Sequence, residues 1–332
     1  MSVYISDEVR NALANCSPVV ALETAVLTAG LPRTPWNESF GERPIVIDAD
    51  IPINVALAQS MTLAIKSNGA IPAWIAVVNG TLRIGLSPEE IVELCNDPKS
   101  GKVSLSSFAQ TIQSGNSAGT TVSATLHACR LISDEHPIRV FATGGIGGIH
   151  KNWTQGFDVS SDLTALATTP TCVVSSGAKS ILDIHATVES LETIGVPVLG
   201  LGSNTFPRFI ENNLKTDPKV HKVDSPSEVA DICKYHWLHL QMDSAILATI
   251  PVPNDVALEN GTVRETLDRA EHDWAAMHLP STTRTTFLLN QLANITKGKS
   301  LVANLALLCN NAAVAAEIAI ELSTTPVSAR KH

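Results

Sequence analysis

The sequence predicts a three-layer α/β/α fold, a single domain with a mostly parallel central sheet. Three observations carry that expectation. Short runs rich in branched apolar residues alternate with segments that open on helix caps, the order that buries a sheet between two helical layers. Turn residues follow those runs. Aromatic residues are only 4% of the 332-residue chain, so Ala, Val, Leu and Ile pack the core, as parallel sheets covered on both faces require.

The strand-like runs are Ile71–Val78, Ile138–Ala142, Thr171–Val174, Val196–Leu201 and Ala245–Ile250. Between them, Ser87-Pro88-Glu89-Glu90 combines an N-cap, a proline at the first helical position and a capping-box glutamate, and Ser225-Pro226-Ser227-Glu228 repeats the pattern. Gly69 and Gly298 read as helix stops. The Ala- and Leu-rich stretch Ser300–Leu322 carries little charge and predicts a buried helix. Leu31–Pro52 holds Pro32, Pro35, Pro44, Pro52 and Trp36, and reads as an irregular insertion or lid. No repeat or composition break divides the chain, so residues 1–332 read as one domain.

Hydrophobic residues at 44% against 17% charged exclude a disordered chain. The 23 basic and 32 acidic residues give a net charge of −9, which argues against a dedicated nucleic-acid or anionic-membrane surface while leaving room for a local cationic pocket. Uninterrupted apolar stretches fall short of the roughly 18 residues that cross a bilayer, and no basic-then-apolar leader opens the chain. Six scattered cysteines without a CxxC pair read as reduced thiols of a cytoplasmic protein.

The most unusual local sequence is Thr143-Gly144-Gly145-Ile146-Gly147-Gly148-Ile149-His150, directly after a strand. It reads as a binding loop at the carboxyl edge of the sheet, the alternative being a tight turn with close packing. His150 is the one histidine the sequence places near a site; His236-x-x-His239 lacks a third ligand. In Asp158-Val159-Ser160-Ser161-Asp162 the oxygens suit a hard divalent cation or substrate hydroxyls, or else cap a helix. Lys179, amid apolar and small residues, suits an amine kept uncharged by burial and able to capture an aldehyde as an imine; a lysine snorkelling from a helix start is the plainer reading. Glu23 interrupts the apolar run Val19–Val26, where burial suits general acid–base work unless the side chain points outward. Lys102 and Asn304 are weaker candidates for an anion or polar headgroup.

These motifs resemble the pseudouridine-5′-phosphate glycosidase family, which includes the indigoidine synthase A-like proteins. The resemblance runs from about Pro18 to Ala316. It is carried by ALET at 21–24, GAIPAWIAVVNG at 69–80, LRIGLSPEE at 82–90, AGTTVSATL at 118–126, FATGGIGGIH at 141–150, DVSSDL at 158–163, SGAKSILDI at 176–184, LETIGVPVLG at 191–200 and SLVANLALLCNNA at 300–312. It implies an α/β/α homotrimer with a Mn²⁺-type ion (Mg²⁺ being another option) that reversibly cleaves pseudouridine 5′-phosphate to uracil and ribose 5-phosphate. By position it makes Lys179 the imine-forming lysine, Glu23 the proton donor and acceptor, and Asp158 the metal ligand. It makes Ser160, Ser161, Asp162, Lys102, Val122 and Asn304 substrate-binding positions. The chain departs from the family at Leu105, Ser106 and Ser107, where arginines and an aspartate are common, and at Thr286, where a proline is usual. Loss of guanidinium donors leaves open another C-glycoside with a different aglycone, or a catalytically silent sugar-phosphate binder.

Overall fold

The computed structural model describes residues 3–37, 50–132, 137–151, 153–259 and 284–323, with isolated positions between 40 and 48 and between 261 and 277. Among these residues the strands are β1 (Val3–Ile5), β2 (Val19–Glu23), β3 (Ile71–Val78), β4 (Thr81–Ile84), β5 (Gly101–Val103) and β6 (Ala118–Thr120). They continue with β7 (Val140–Ala142), β8 (Cys172–Ser175), β9 (Val198–Leu201), β10 (His221–Val223) and β11 (Ile246–Thr249). The helices are α1 (Asp7–Ala14), α2 (Ile53–Ser67), α3 (Pro88–Asn96), α4 (Phe108–Gln113), α5 (Val122–Arg130) and α6 (Trp153–Gly156). After them come α7 (Ser161–Ala167), α8 (Ile184–Thr193), α9 (Pro226–Lys234), α10 (Arg284–Ile295) and α11 (Lys299–Ser323).

One sheet runs in the order β1-β4-β3-β2-β7-β8-β11-β9-β10, with β6 and β5 branching from β3. Every neighbouring pair from β3 to β10 is parallel, while β4 and β6 meet β3 antiparallel. Successive residues of β2, β7, β8 and β11 are all buried. Since alternate side chains face opposite sides of a sheet, that pattern requires helices on both faces. The chain leaves β2 for β3 on one side and β7 for β8 on the other, so the order reverses between β2 and β7. The crevice beyond their carboxyl ends is where open α/β sheets hold ligands.

The expected elements lie close to where the sequence puts them. β3 coincides with its predicted run, and Ser87 closes a full capping box with Glu90. Ser225 caps α9 with Pro226 in its first turn. Gly69 and Gly298 take φ of 83° and 81°, the left-handed geometry that ends a helix. The described start of the proline-rich segment is anchored: the Arg33 guanidinium donates to the carbonyls of Thr28 (2.6 Å) and Ser100 (3.0 Å), and Ile53 N–H bonds to Thr34 O (3.0 Å). Positions 38, 39, 41, 45, 46 and 49, on which the rest of the lid expectation falls, lie outside the described residues.

The stretch Ser300–Leu322 lies within α11, the buried helix that the sequence predicts. By length and hydropathy α11 is able to cross a membrane, which a count of uninterrupted apolar residues misses because Asn304, Asn310, Asn311 and Glu317 break the run. It packs instead against β2, β7, β8, α2 and α9, with 56% of its most apolar window buried.

Candidate active site

Three adjacent parallel strands bring the central groups together. Register pairs Leu22 of β2 with Ala142 of β7, and one residue further on the Thr143 hydroxyl donates to the Glu23 carboxylate. Glu23 is buried at the end of β2, so it does not point to solvent. Beyond β7 and β8 the two loops stay zipped: Ile146 N–H bonds to Gly177 O (3.0 Å), and Lys179 N–H to Ile146 O (3.1 Å). This pairing places Lys179 in a turn closed by Leu182 N–H to Lys179 O (3.0 Å), not at a helix start. Its side chain is half-buried, so the fully dry setting that the sequence suggests for it is not what the fold provides.

Charge ties the cluster together. Burial pushes the Glu23 carboxyl up, against the Lys179 ammonium, the Thr143 hydrogen bond and Lys102, while Asp162 pushes it further. Lys102, on β5, is pushed down by partial withdrawal from water and then by Lys179, with Asp162 and Glu23 opposing. Groups from four separate segments therefore feel one another's charge.

Asp162, buried near the start of α7, accepts from Ser123 N–H (2.9 Å) with one oxygen and from Gly147 N–H (2.8 Å) with the other. It thus joins the first turn of α5, where Val122 is fully buried, to the glycine loop. Ser160 caps α7, and the Ser161 and Ser123 hydroxyls stand 3.0 Å apart. The glycines serve close packing: a Cβ at Gly145 would stand 2.8 Å from the Phe209 ring, and one at Gly147 2.7 Å from Asp162 Oδ2. Loop N–H groups at 143, 146, 147 and 149 bond to protein oxygens, so part of the loop's backbone is held by the close-packed turn that the sequence offers as the alternative. His150 is buried at the loop's end, its Nδ1 3.9 Å from Asp158 Oδ2. Asn304 is half-buried on α11, two turns before Asn311 on the same stripe.

The family described as indigoidine synthase A like protein matches this chain over residues 8–321. The chain belongs to that family. Pseudouridine-5′-phosphate glycosidase 2 of Rhizobium johnstonii is 41% identical over 324 residues, covering 96% of each chain. The pseudouridine-5′-phosphate glycosidase of Caldanaerobacter subterraneus subsp. tengcongensis is 36% identical and covers 97% of each. The prealnumycin C-glycosynthase, solved in complex with ribulose 5-phosphate, matches with a TM-score of 0.82 and 28% identity over 98% of both chains. An indigoidine synthase A-like protein from Thermotoga maritima matches at 0.81 and 30% over 97% of both. The resemblance read from the motifs and the three-layer α/β expectation both hold for this indigoidine synthase A-like chain.

Two residues at the cluster, Thr143 and Asn311, lie within the motifs at 141–150 and 300–312 but receive no role from them. Thr143 is a buried polar residue directly after the fully buried strand β7, and Asn311 is an amide inside an apolar helix, fully buried and bonded to Thr143 O (2.9 Å). A polar side chain where the pattern demands an apolar one was the available signal for both.

Proposed function

We propose that the protein is a pseudouridine-5′-phosphate glycosidase, an enzyme that reversibly cleaves the bond between C1′ of ribose 5-phosphate and the uracil ring carbon. The observation that carries this is the convergence of a buried carboxyl, Glu23, and a half-buried amine, Lys179, at the β2–β7–β8 edge, in a chain matching such enzymes over nearly its whole length. A ring carbon is a poor leaving group, so two-carboxylate oxocarbenium chemistry faces a high barrier. The lysine route divides it. Lys179 nitrogen bonds to C1′ as the C1′–O4′ bond breaks, and Glu23 supplies the proton to O4′. The Glu23 carboxylate then takes the proton that the Lys179 nitrogen sheds and passes it to the uracil carbon, while the freed nitrogen lone pair forms the C1′=N⁺ imine as the C1′–carbon bond breaks. Water hydrolyses the imine, releasing ribose 5-phosphate and free Lys179.

The same reading gives Lys102 and Val122, in the opening turn of α5, to the phosphate, since a cation favours an anion. Ser160, Ser161, Asn304 and His150 then face the sugar and the base, with Asp162 holding their loops. Asp158, half-exposed, anchors the divalent ion, Mn²⁺ in this proposal. Among the described residues no three His, Cys, Asp or Glu side chains converge, a donor set that fits a hard ion on one carboxylate completed by water rather than a protein cage. Such an ion supplies Lewis acidity to a coordinated substrate oxygen. A homotrimeric, cytoplasmic state rests on the family resemblance, and the net charge of −9 speaks against a nucleic-acid partner.

Incubation with ribose 5-phosphate and borohydride tests the reading: a mass gain on the Lys179 peptide is expected, and an unmodified peptide under turnover rejects it. A second reading, a C-glycosidase for another aglycone, is favoured by the C-glycosynthase match and by Leu105, Ser106 and Ser107. Equal kcat/KM for pseudouridine and its 5′-phosphate would remove the phosphate assignment of Lys102, and a higher kcat/KM for a C-glycoside with another aglycone would select this second reading.

A further inference from the structure

We infer that Asn311 is a positioning residue that sets the spacing between Glu23 and Lys179, an inference that rests on the glycosidase reading above. Asn311 is fully buried on α11 among Leu307, Leu308, Ala312 and Ala315, all buried. An unsatisfied amide there is costly, so its hydrogen bonds decide why it is tolerated. None of those recorded for its side chain goes to another residue of α11. Nδ2 donates to Thr143 O (2.9 Å) and reaches Gly144 O (3.5 Å), and the Ser176 hydroxyl lies 3.2 Å from Nδ2 and 3.3 Å from Oδ1.

Thr143 and Ser176 are the first loop residues on the two arms of the site. Thr143 gives its N–H to Val174 O (3.0 Å) and its hydroxyl to Glu23, and accepts the Asn311 amide on its carbonyl, so every polar atom it owns is fixed. Ser176, three residues before Lys179, gives its N–H to Gly144 O (2.8 Å) and takes Phe209 N–H (3.0 Å) on its carbonyl. One amide thus spans the arm that aims the donor at the acid and the arm that carries the amine. A leucine, of nearly the same shape, packs against the same neighbours and drops the span.

The test compares wild type, Asn311→Leu and Ser176→Ala by steady-state kinetics and by the Glu23 carboxyl titration, followed by carbon-13 NMR of glutamate-labelled, ligand-free protein. In Asn311→Leu kcat is expected to fall about 100-fold with KM changed by less than about threefold, the signature of misplaced reacting groups. Its Glu23 titration moves up, because the Thr143 hydroxyl that favours the carboxylate is no longer aimed. Ser176→Ala, which keeps the Thr143 bond, loses about tenfold in kcat. Folded variants with wild-type kcat and an unmoved Glu23 titration overturn the inference; should Asn311→Leu not fold, Ser176→Ala with unchanged kcat does so. If wild type traps no ribose 5-phosphate on Lys179, the glycosidase reading fails by itself, and the ligand-free titration still decides the role of Asn311.

Discussion

At Glu23 two demands oppose each other: burial disfavours the carboxylate, while Lys179 and the Thr143 hydroxyl favour it, and burial is the larger. Below the ordinary value of 4.5 both folded and unfolded chains hold the proton and the residue leaves stability unchanged. As pH rises past it the unfolded chain releases its proton first, so folding loses free energy until the raised folded value is passed. Glu23→Gln is therefore expected to match wild type in thermal midpoint at about pH 4 and to exceed it at pH 8, while losing turnover. Differential scanning fluorimetry across pH checks this, and a midpoint lower than wild type at pH 8 contradicts it. Thr143→Val removes a donor to the carboxylate and is expected to move the Glu23 limb of the pH–rate profile upward. Lys179→Ala is expected to lose at least about 10⁴-fold in kcat, with no trapped lysine and an intact fold by circular dichroism. Glu23 and Lys179 were legible because each interrupts an apolar run. The weakness of the same logic is visible at Lys179, whose half-burial depends on how two loops zip together, a long-range fact no local run contains.

The elements differ in how far they matter to the site. Ser87 follows β4, which runs antiparallel to the strands that carry Glu23 and Lys179, so the cap of α3 lies towards their amino ends. Ser87→Ala is expected to cost ~1 kcal/mol of stability by denaturant titration and to leave kcat unchanged. Leu308 on α11 stands where a Cβ on Gly144 would meet it at 3.1 Å, and it is fully buried. Leu308→Ala is expected to cost roughly 2–5 kcal/mol and also to lower kcat, because the cavity opens beneath the glycine loop. The elements that the sequence revealed carry strong local signals: the eight-residue run of β3, the Ser-Pro starts of α3 and α9, the long Ala-Leu pattern of α11. The strands that local pattern leaves out, β1, β4, β5, β6 and β10, are three or four residues each and owe their extended backbone to strand pairing rather than to propensity. The close packing of the glycine loop is hidden for a related reason, since its contacts with Phe209, Asp162 and α11 become visible only once those distant segments are in place.

At the scale of the molecule, strand order is what local pattern withholds: nothing near Glu23 announces that β7, more than a hundred residues on, will lie beside it. Ion binding belongs to this scale too, because a ligand held only by the folded chain adds its binding free energy to stability, about 2.7 kcal/mol at a hundred times Kd. Mn²⁺ at Asp158 is thus expected to raise the melting temperature of wild type. The net charge of −9 complicates the measurement, since any divalent cation collects around an acidic protein. Salt separates the two effects: at physiological ionic strength the screening length is about 8 Å, which suppresses diffuse attraction far more than coordination at a half-buried carboxylate. Under those conditions Asp158→Asn should lose most of the Mn²⁺-dependent rise, whereas Asp224→Asn, at a highly exposed aspartate on the surface, should keep it. Equal rises in both variants would place the ion away from Asp158, and a rise that vanishes with salt in wild type would mean that no specific ion site exists on this face.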